Sequence, residues 1–240
     1  MLILKEIISP LITGKKIKSA RGNAKIEIDK LPGRKIIEIR TWGKQLLICF
    51  QGFTVRVHFL LFGSYSVGNQ TKPDRSLRLA LIFARTSVFF YTCSVRMLEE
   101  DITSLYDWEA DVLSDKWNPS KARKKLKEMP DDMVCDALLD QQVFSGVGNI
   151  IKNEVLYRIK LHPETVISKI PPRKLSSLIK EARNYSFDFL AWKKEFTLKK
   201  HWLAHTKKTC IRCQIALTKA YCGKTNRRSF FCPNCQILYK

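Results

Sequence analysis

The sequence has 240 residues, of which 45% are hydrophobic, and this composition excludes a largely disordered chain. Lys and Arg number 43 against 22 Asp and Glu, so the net charge of +21 favours a polyanionic partner. No run approaches the ~20 apolar residues of a membrane span, and the first residues lack the cleavage site of a secretory signal. We therefore expect a cytoplasmic protein whose eight cysteines are thiols or metal ligands before they are disulfides.

The first half of the chain predicts a short helix followed by an antiparallel β-sandwich or flattened barrel. Residues 2–12 carry apolar side chains at helical spacing, with Pro10 expected to kink the helix. Over residues 25–98 the pattern changes to alternating apolar and polar positions rich in β-branched and aromatic residues, which is typical of strands. The predicted strands are "KIIEIRTW", "QLLICF", "TVRVHFLLFGSYSV", "LRLALIF" and "SVFFYTCSV".

The second half is predicted to be helical, which makes the whole chain α+β. An acidic, irregular stretch separates the halves, and helical periodicity then covers residues 120–129, 131–143, 150–159 and 172–190. We expect four segments along the chain: a β-sandwich domain over 1–110, a linker over 111–118, a helical domain over 119–200 and a cysteine-rich domain over 201–240.

The C-terminal cysteines have the spacing of a zinc ribbon. Cys210 and Cys213 form one CxxC pair, and Cys232 and Cys235 form a second pair eighteen residues further on. Each short loop aims two thiolates at one point, as tetrahedral zinc requires, whereas four unliganded thiols are the alternative. Cys222 pairs with neither motif and is not expected to be a ligand. So small a domain would take its folding energy from the metal.

The stretch "DQQVFSGVGNIIKNEV" predicts two helices joined by a glycine turn. Gly146 and Gly148 interrupt the helical pattern, and Asn149 stands where the second helix begins. The amides freed at such a helix start, together with the helix dipole, favour a phosphate, although a plain helical hairpin remains the alternative. Residues 193–240 add twelve Lys or Arg against the single acid Glu195, which supports nucleic acid as the partner.

Taken together, "LLDQQVFSGVGNIIKNEVLYRIKLHPET" and the C-terminal CxxC…CPxC pattern resemble the formamidopyrimidine-DNA glycosylase / endonuclease VIII family over nearly the whole chain. The resemblance implies a helix–two-turn–helix domain, one structural zinc ion, and a monomer that binds duplex DNA at a damaged base or abasic site. Members flip the damaged base out, cleave its glycosidic bond and nick the strand by β- and δ-elimination. It also implies nucleoid association and DNA held in a basic cleft between the two halves.

The resemblance assigns DNA contacts to both ends of the second half. Asn149, with Gly148 beside it, matches the turn that contacts phosphate in the family. Arg227, five positions before Cys232, matches the zinc-finger arginine that grips phosphates beside the lesion, with Arg228 as the fallback.

In the first half, Lys44 in "TWGKQLL" matches the β-hairpin lysine near the reaction centre, unless it is an ordinary solvated lysine. Leu60, Leu61 and Phe62 match the wedge with which endonuclease VIII-like members fill the gap left by the flipped base. The alternative for Leu60 and Leu61 is ordinary strand core. Such a wedge slightly favours oxidised pyrimidines over oxidised purines as substrates.

The N-terminus departs from the family, which begins Met-Pro-Glu and uses the proline amine as the nucleophile. This chain begins Met-Leu-Ile-Leu-Lys-Glu, and Glu6 falls inside the predicted helix. We favour a start site chosen too late, so that the sequence as written would be weakly active. Alternatively, the chain is a lesion-binding protein that does not cut, or Lys44 serves as a substitute amine, which would have to be deprotonated to react.

A protein from another class is the remaining alternative, because zinc ribbons and helix–two-turn–helix units also occur in nucleic-acid-binding proteins that are not enzymes. Preference for damaged over intact duplex distinguishes the two. Asp140 and Glu154 flank the glycine turn and are expected to cap helices or orient the turn, while Asp107, Glu109 and Asp111 are expected to be a solvated acidic run.

Overall fold

The computed structural model describes residues 1–240, which form two compact units, Met1–Tyr106 and Asp107–Lys240. The first is mainly β and the second mainly helical, which confirms the α+β prediction. The segment 111–118 is not an exposed linker. It belongs to the second unit, because its apolar residues Val112 and Trp117 are buried in that unit's core. No helix in the structure is both long and apolar enough to span a bilayer.

The first unit contains two helices and eight strands. The helices are α1 (Leu2–Ile12) and α2 (Ile102–Leu105). The strands are β1 (Ser19–Arg21), β2 (Glu38–Trp42), β3 (Gln45–Phe50), β4 (Phe53–His58), β5 (Ser64–Val67), β6 (Leu77–Ile82), β7 (Ser87–Tyr91) and β8 (Ser94–Leu98).

These strands form two antiparallel four-stranded sheets, ordered β2-β3-β4-β8 and β1-β6-β7-β5. Alternate side chains of each sheet meet in one core, in which Ile48 and Val55 from the first sheet join Leu81 and Phe90 from the second. Ile8 of α1 is buried in the same core, so the predicted sandwich with a packed helix is confirmed. The helix continues through Pro10 to its end at Ile12.

Two stretches that the sequence predicts as single strands each divide between the sheets. "TVRVHFLLFGSYSV" ends its first strand at His58 and resumes at Ser64, because the chain turns sharply in between. The amide of Gly63 donates to the carbonyl of Phe59 at 2.8 Å, and a Cβ at Gly63 would lie only 2.3 Å from that oxygen. "SVFFYTCSV" divides at Thr92, whose φ of 48° breaks the extended run.

The second unit contains four helices and a two-stranded hairpin. The helices are α3 (Pro119–Lys127), α4 (Val134–Ala137), α5 (Asn149–Arg158) and α6 (Pro172–Lys194), and the strands are β9 (Thr218–Cys222) and β10 (Arg227–Phe231). Their apolar faces share one core, to which the hairpin contributes Cys222 and Phe231.

The helix predicted over 131–143 is wrong for most of its length, since only Val134–Ala137 is α-helical. The Asp140 carboxylate accepts the backbone amide of Gln142 at 2.8 Å. Such an Asx turn offers the backbone a local alternative to helix continuation, so the chain proceeds through turns towards Gly146.

Candidate functional site

The glycine turn is braced by one side chain. Gln141 donates to the carbonyls of Leu139 and Val147 and accepts the amide of Gly146. Gly146 has a φ of 100°, a conformation that favours glycine. Gly148 is the N-cap of α5, and no side chain caps this end. The first-turn amides of α5 therefore have no intrahelical partner and form an electropositive end suited to an anion.

Three side chains from the start of α5 converge on the backbone carbonyl of Arg228 in β10. Asn149 Nδ2 donates to it at 2.9 Å, Lys152 Nζ at 3.1 Å and Asn153 Nδ2 at 3.3 Å. Asn153 also accepts the amide of Phe230 at 3.1 Å. The glycine turn and the hairpin, which are far apart in sequence, are therefore fixed to each other.

Lys152 is fully buried, which sequence reasoning did not foresee. Its ammonium also donates to the Ser229 hydroxyl at 2.8 Å, and burial lowers its pKa to about 8. A sequence signal was present: Asn149, Lys152 and Asn153 lie three and four positions apart, which places their side chains on one side of α5. Polar residues in that pattern predict a hydrogen-bonded seam with another element.

Glu154 is also completely buried and anchors the chain that leads into the cysteine-rich segment. Its carboxylate accepts the backbone amides of Leu203, Ala204 and His205 at distances between 2.8 and 3.0 Å. Glu154 therefore orients the segment at residues 203–205, whereas the sequence predicted a helix cap or a contact to the glycine turn. Asp140 forms the turn described above.

The β9–β10 hairpin carries the predicted arginines. Arg227 and Arg228 are exposed, and the Arg228 guanidinium lies 6.0 Å from the centre of the Tyr221 ring. The turn of the hairpin is held by Asp136 of α4, which accepts the amides of Lys224 at 2.7 Å and Thr225 at 3.0 Å. Two cations therefore project from a backbone fixed on both sides.

The four predicted metal ligands lie together. The sulfur atoms of Cys210, Cys213, Cys232 and Cys235 are all within 4.8 Å of one another, whereas Cys222 is packed in the helical core outside this cluster. Cys210 Sγ and Cys235 Sγ are 3.8 Å apart. Tetrahedral zinc with Zn–S bonds of about 2.3 Å separates its sulfurs by about 3.8 Å, so the cluster fits such an ion.

The acidic residues before α3 are not simply a solvated run. Asp107 pairs with Lys121 at 2.8 Å and with Lys125 at 2.6 Å, and Glu109 pairs with Lys121 at 2.9 Å. Asp111 is buried, and its carboxylate accepts the amide of Leu113. The carboxylates of Asp107 and Glu109 thus hold α3, and that of Asp111 closes a local turn.

The first unit carries the remaining candidates. Lys44 is exposed in a two-residue turn between β2 and β3, with Gly43 at a φ of 52° as the first turn residue. Leu60, Leu61 and Phe62 lie in the turn between β4 and β5 and are 64%, 72% and 80% exposed. The alternative that Leu60 and Leu61 belong to the strand core is therefore wrong.

Two family models match most of the chain. Residues 3–98 match the formamidopyrimidine-DNA glycosylase N-terminal domain, and residues 109–186 match the H2TH domain of the same glycosylase. The chain belongs to the formamidopyrimidine-DNA glycosylase / endonuclease VIII family. The predicted resemblance is thus confirmed.

Individual relatives come from both branches of this family. Endonuclease 8-like 3 of Mus musculus is 33% identical over 205 residues, which cover 82% of this chain and 34% of the relative. Formamidopyrimidine-DNA glycosylase of Lactobacillus helveticus is 27% identical, with 99% of this chain and 97% of the relative covered. The chain spans about a third of the length of the endonuclease 8-like 3 relatives.

Solved structures share the fold. The Lactococcus lactis formamidopyrimidine-DNA glycosylase bound non-covalently to DNA with an AP site superposes with a TM-score of 0.84 at 19% identity, covering 97% of this chain and 96% of the other. A viral DNA glycosylase superposes with a TM-score of 0.83 at 18% identity, covering 98% of each chain.

Proposed function

We propose that this chain is a base-excision-repair DNA glycosylase and abasic-site lyase that acts on oxidised bases in duplex DNA. Family membership supports the glycosylase class. Two solved structures with this fold are complexes of the Lactococcus lactis enzyme with abasic-site DNA and with FAPY-dG-containing DNA. The phosphodiester backbone is the polyanion that a net charge of +21 favours.

The observation that carries this proposal is the seam between the start of α5 and the β9–β10 hairpin. It fixes the start of α5, with its uncapped amides, to the backbone of β10, the strand that carries Arg227 and Arg228. Amides at a helix start and guanidinium groups are both strong phosphate donors. Asn149 Nδ2 donates one of its two N–H groups to the Arg228 carbonyl. Its second N–H can donate to a phosphate oxygen.

Leu60, Leu61 and Phe62 support the expectation of a flipped base. These three consecutive apolar side chains are exposed to solvent, although the strand that precedes them contributes buried residues to the sandwich core. Inserted between base pairs, such side chains replace the stacking that a flipped nucleotide gives up. The proposed preference for oxidised pyrimidines rests on the likeness of this loop to endonuclease VIII.

The cysteine cluster would hold zinc, which in such a position supplies folding energy and no chemistry. The reaction itself needs an amine that adds to the sugar C1′ as the base leaves, giving an imine from which the 3′ phosphate is eliminated. In this chain Lys44 is the side-chain amine that the family resemblance assigns near the reaction centre, and mapping of a trapped adduct identifies the amine that reacts.

The deciding experiment is borohydride trapping on a duplex with one abasic site, followed by peptide mapping of the adduct. Adducts at Lys44 or at Met1 would each support the lyase and identify its nucleophile, and a Lys44→Met variant would separate the two. Tight binding to this duplex without an adduct would favour the non-catalytic alternative, a damaged-DNA-binding protein. Equal affinity for intact and abasic duplex would overturn both.

A further inference from the structure

A cavity of about 470 Å³ opens between α3 and α6 in the second unit. Its volume lies within the roughly 300–1,000 Å³ of ligand sites. Trp117 and Ile179 form an apolar wall, and the charged residues that line it are all cations: Arg123, Lys180 and Arg183. No carboxylate lines this cavity, so nothing inside it neutralises those charges.

The cations are brought together by the fold of the helices. Lys180 and Arg183 are three positions apart on one side of α6, and like charges at that spacing repel. Arg123 reaches across from α3, where its guanidinium donates to the Ser176 hydroxyl at 2.7 Å. Three cations that share one cavity with neutral donors are suited to an anion with several oxygens, such as a phosphate.

An exposed aromatic ring continues this surface. The guanidinium of Arg183 lies 5.5 Å from the centre of the Phe187 ring, and Phe187 is 43% exposed one turn further along α6. Proteins that bind single strands combine a cationic groove for the backbone with aromatic side chains on which unpaired bases stack. The cavity supplies the cationic groove, and the Phe187 ring supplies the aromatic surface for stacking.

We propose that the α3–α6 cleft is a second nucleic-acid site, which binds a single strand. A phosphate lies among Arg123, Lys180 and Arg183, and the neighbouring base stacks on Phe187. The cleft shares no residue with α5 or the β9–β10 hairpin, so it is distinct from the surface proposed for damaged duplex and extends the proposed function. An unpaired strand is the ligand because the face of a paired base is not available to Phe187.

The test uses the full chain and fluorescence anisotropy with a labelled oligothymidylate. A triple variant, Arg123→Gln with Lys180→Gln and Arg183→Gln, is expected to bind at least tenfold more weakly. The slope of log affinity against log salt should fall by about 0.7, the value for one lost phosphate contact to a single strand. Phe187→Leu, which keeps an apolar side chain but removes stacking, is expected to weaken binding severalfold.

A charge-matched control is Lys15→Gln with Lys16→Gln and Lys18→Gln, three exposed lysines of the first unit. Equal losses in the control and the cleft variant would overturn the proposal, because net charge alone would explain them. Affinity for abasic duplex should stay within twofold of the unmodified protein, and a parallel loss there would show one shared site.

A competition experiment distinguishes binding of a nucleotide from binding of phosphate alone. Thymidine monophosphate is expected to displace the oligonucleotide better than inorganic phosphate does, whereas equal displacement would overturn the role of Phe187. Circular dichroism establishes that each variant is folded. An effect of Phe187→Leu on self-association only, measured by sedimentation, would also overturn the proposal.

Discussion

The side-chain amide of Asn149 donates a hydrogen bond of 2.9 Å to the backbone carbonyl of Arg228, a residue 79 positions away. Because Lys152 and Asn153 donate to the same oxygen, the backbone of β10 has a fixed position relative to the start of α5. The contact involves only the backbone of Arg228. The side chains of Arg227 and Arg228 remain exposed. The start of α5 is thus fixed to the strand that carries both guanidinium groups.

Arg227→Ala should therefore weaken binding to abasic duplex by ~1–3 kcal/mol, the value of a charge-assisted contact to phosphate. Its melting temperature should not change, because the backbone pairing with Cys222 does not depend on the side chain. Anisotropy titrations at fixed salt measure the loss. Arg228→Ala is the comparison, and its loss should be smaller. Unchanged affinity of Arg227→Ala would remove the assigned role.

The loop between β4 and β5 gives a second prediction. Changing Leu61 and Phe62 together to Ser should leave thermal stability within about 0.5 kcal/mol, since both side chains are exposed. Affinity for abasic duplex should fall clearly more than affinity for intact duplex, because only the former has a gap to fill. Leu46→Ala, in the core of the same unit, should instead cost about 2–5 kcal/mol of stability. Equal losses on both duplexes would exclude a wedge.

The sequence predicted correctly those features that depend on neighbouring residues in the chain. The spacing of the four cysteines and the glycine turn before Asn149 are local signals, because neither depends on distant contacts. The predicted sandwich also follows from alternation along each strand, which records which face is buried.

What periodicity missed depends on tertiary contacts. The turn at Phe59–Gly63 lies inside an apolar run, and only the close approach of Gly63 to Phe59 shows that the chain reverses there. The spacing of Asn149, Lys152 and Asn153 indicates a polar seam, but it does not identify the partner. The acceptors of Lys152, the Arg228 carbonyl and the Ser229 hydroxyl, come from another element. In both cases a distant or backbone atom decides the local structure.

Glu154 should contribute more to the stability of the protein than Asp140, which lies on the other side of the glycine turn. The Glu154 carboxylate accepts three backbone amides in a fully buried position, and an amide in its place would direct N–H groups at the Leu203 donor. Glu154→Gln should cost about 1–3 kcal/mol in urea unfolding. Asp140→Asn, which preserves a single turn contact, should stay within about 0.5 kcal/mol. Comparable effects of the two changes would contradict the anchoring role.

Metal removal should destabilise the cysteine cluster and leave the helical core folded. The protein should release one zinc ion per chain to a chromophoric chelator, because only four cysteines are clustered. Amide exchange should then rise around Cys210 and Cys235, while α5 and α6 remain helical, since their core is apolar. Binding to abasic duplex should fall at the same time. Cys213→Ser should reproduce this result, whereas Cys222→Ser should retain the metal.

His205 should make the second unit less stable in acid. Burial, with help from Lys152 and Arg228, lowers its pKa to about 4, and its ring lies against Asn153, Trp202 and Phe230. An unfolded histidine has a pKa near 6.5, so between about pH 6.5 and 4 the unfolded chain binds the extra proton. Stability therefore falls as the pH decreases through this range, and this contribution is constant above it.

The matched variant is His205→Gln, which keeps a polar side chain but does not titrate. Urea unfolding from pH 7 to 4, followed by amide exchange at residues 203–205, should show a smaller loss for the variant than for the unmodified protein. Other acid-sensitive groups affect both proteins alike, so the difference between the two curves isolates His205. Parallel curves over this range would mean that the imidazole is not held neutral by its surroundings.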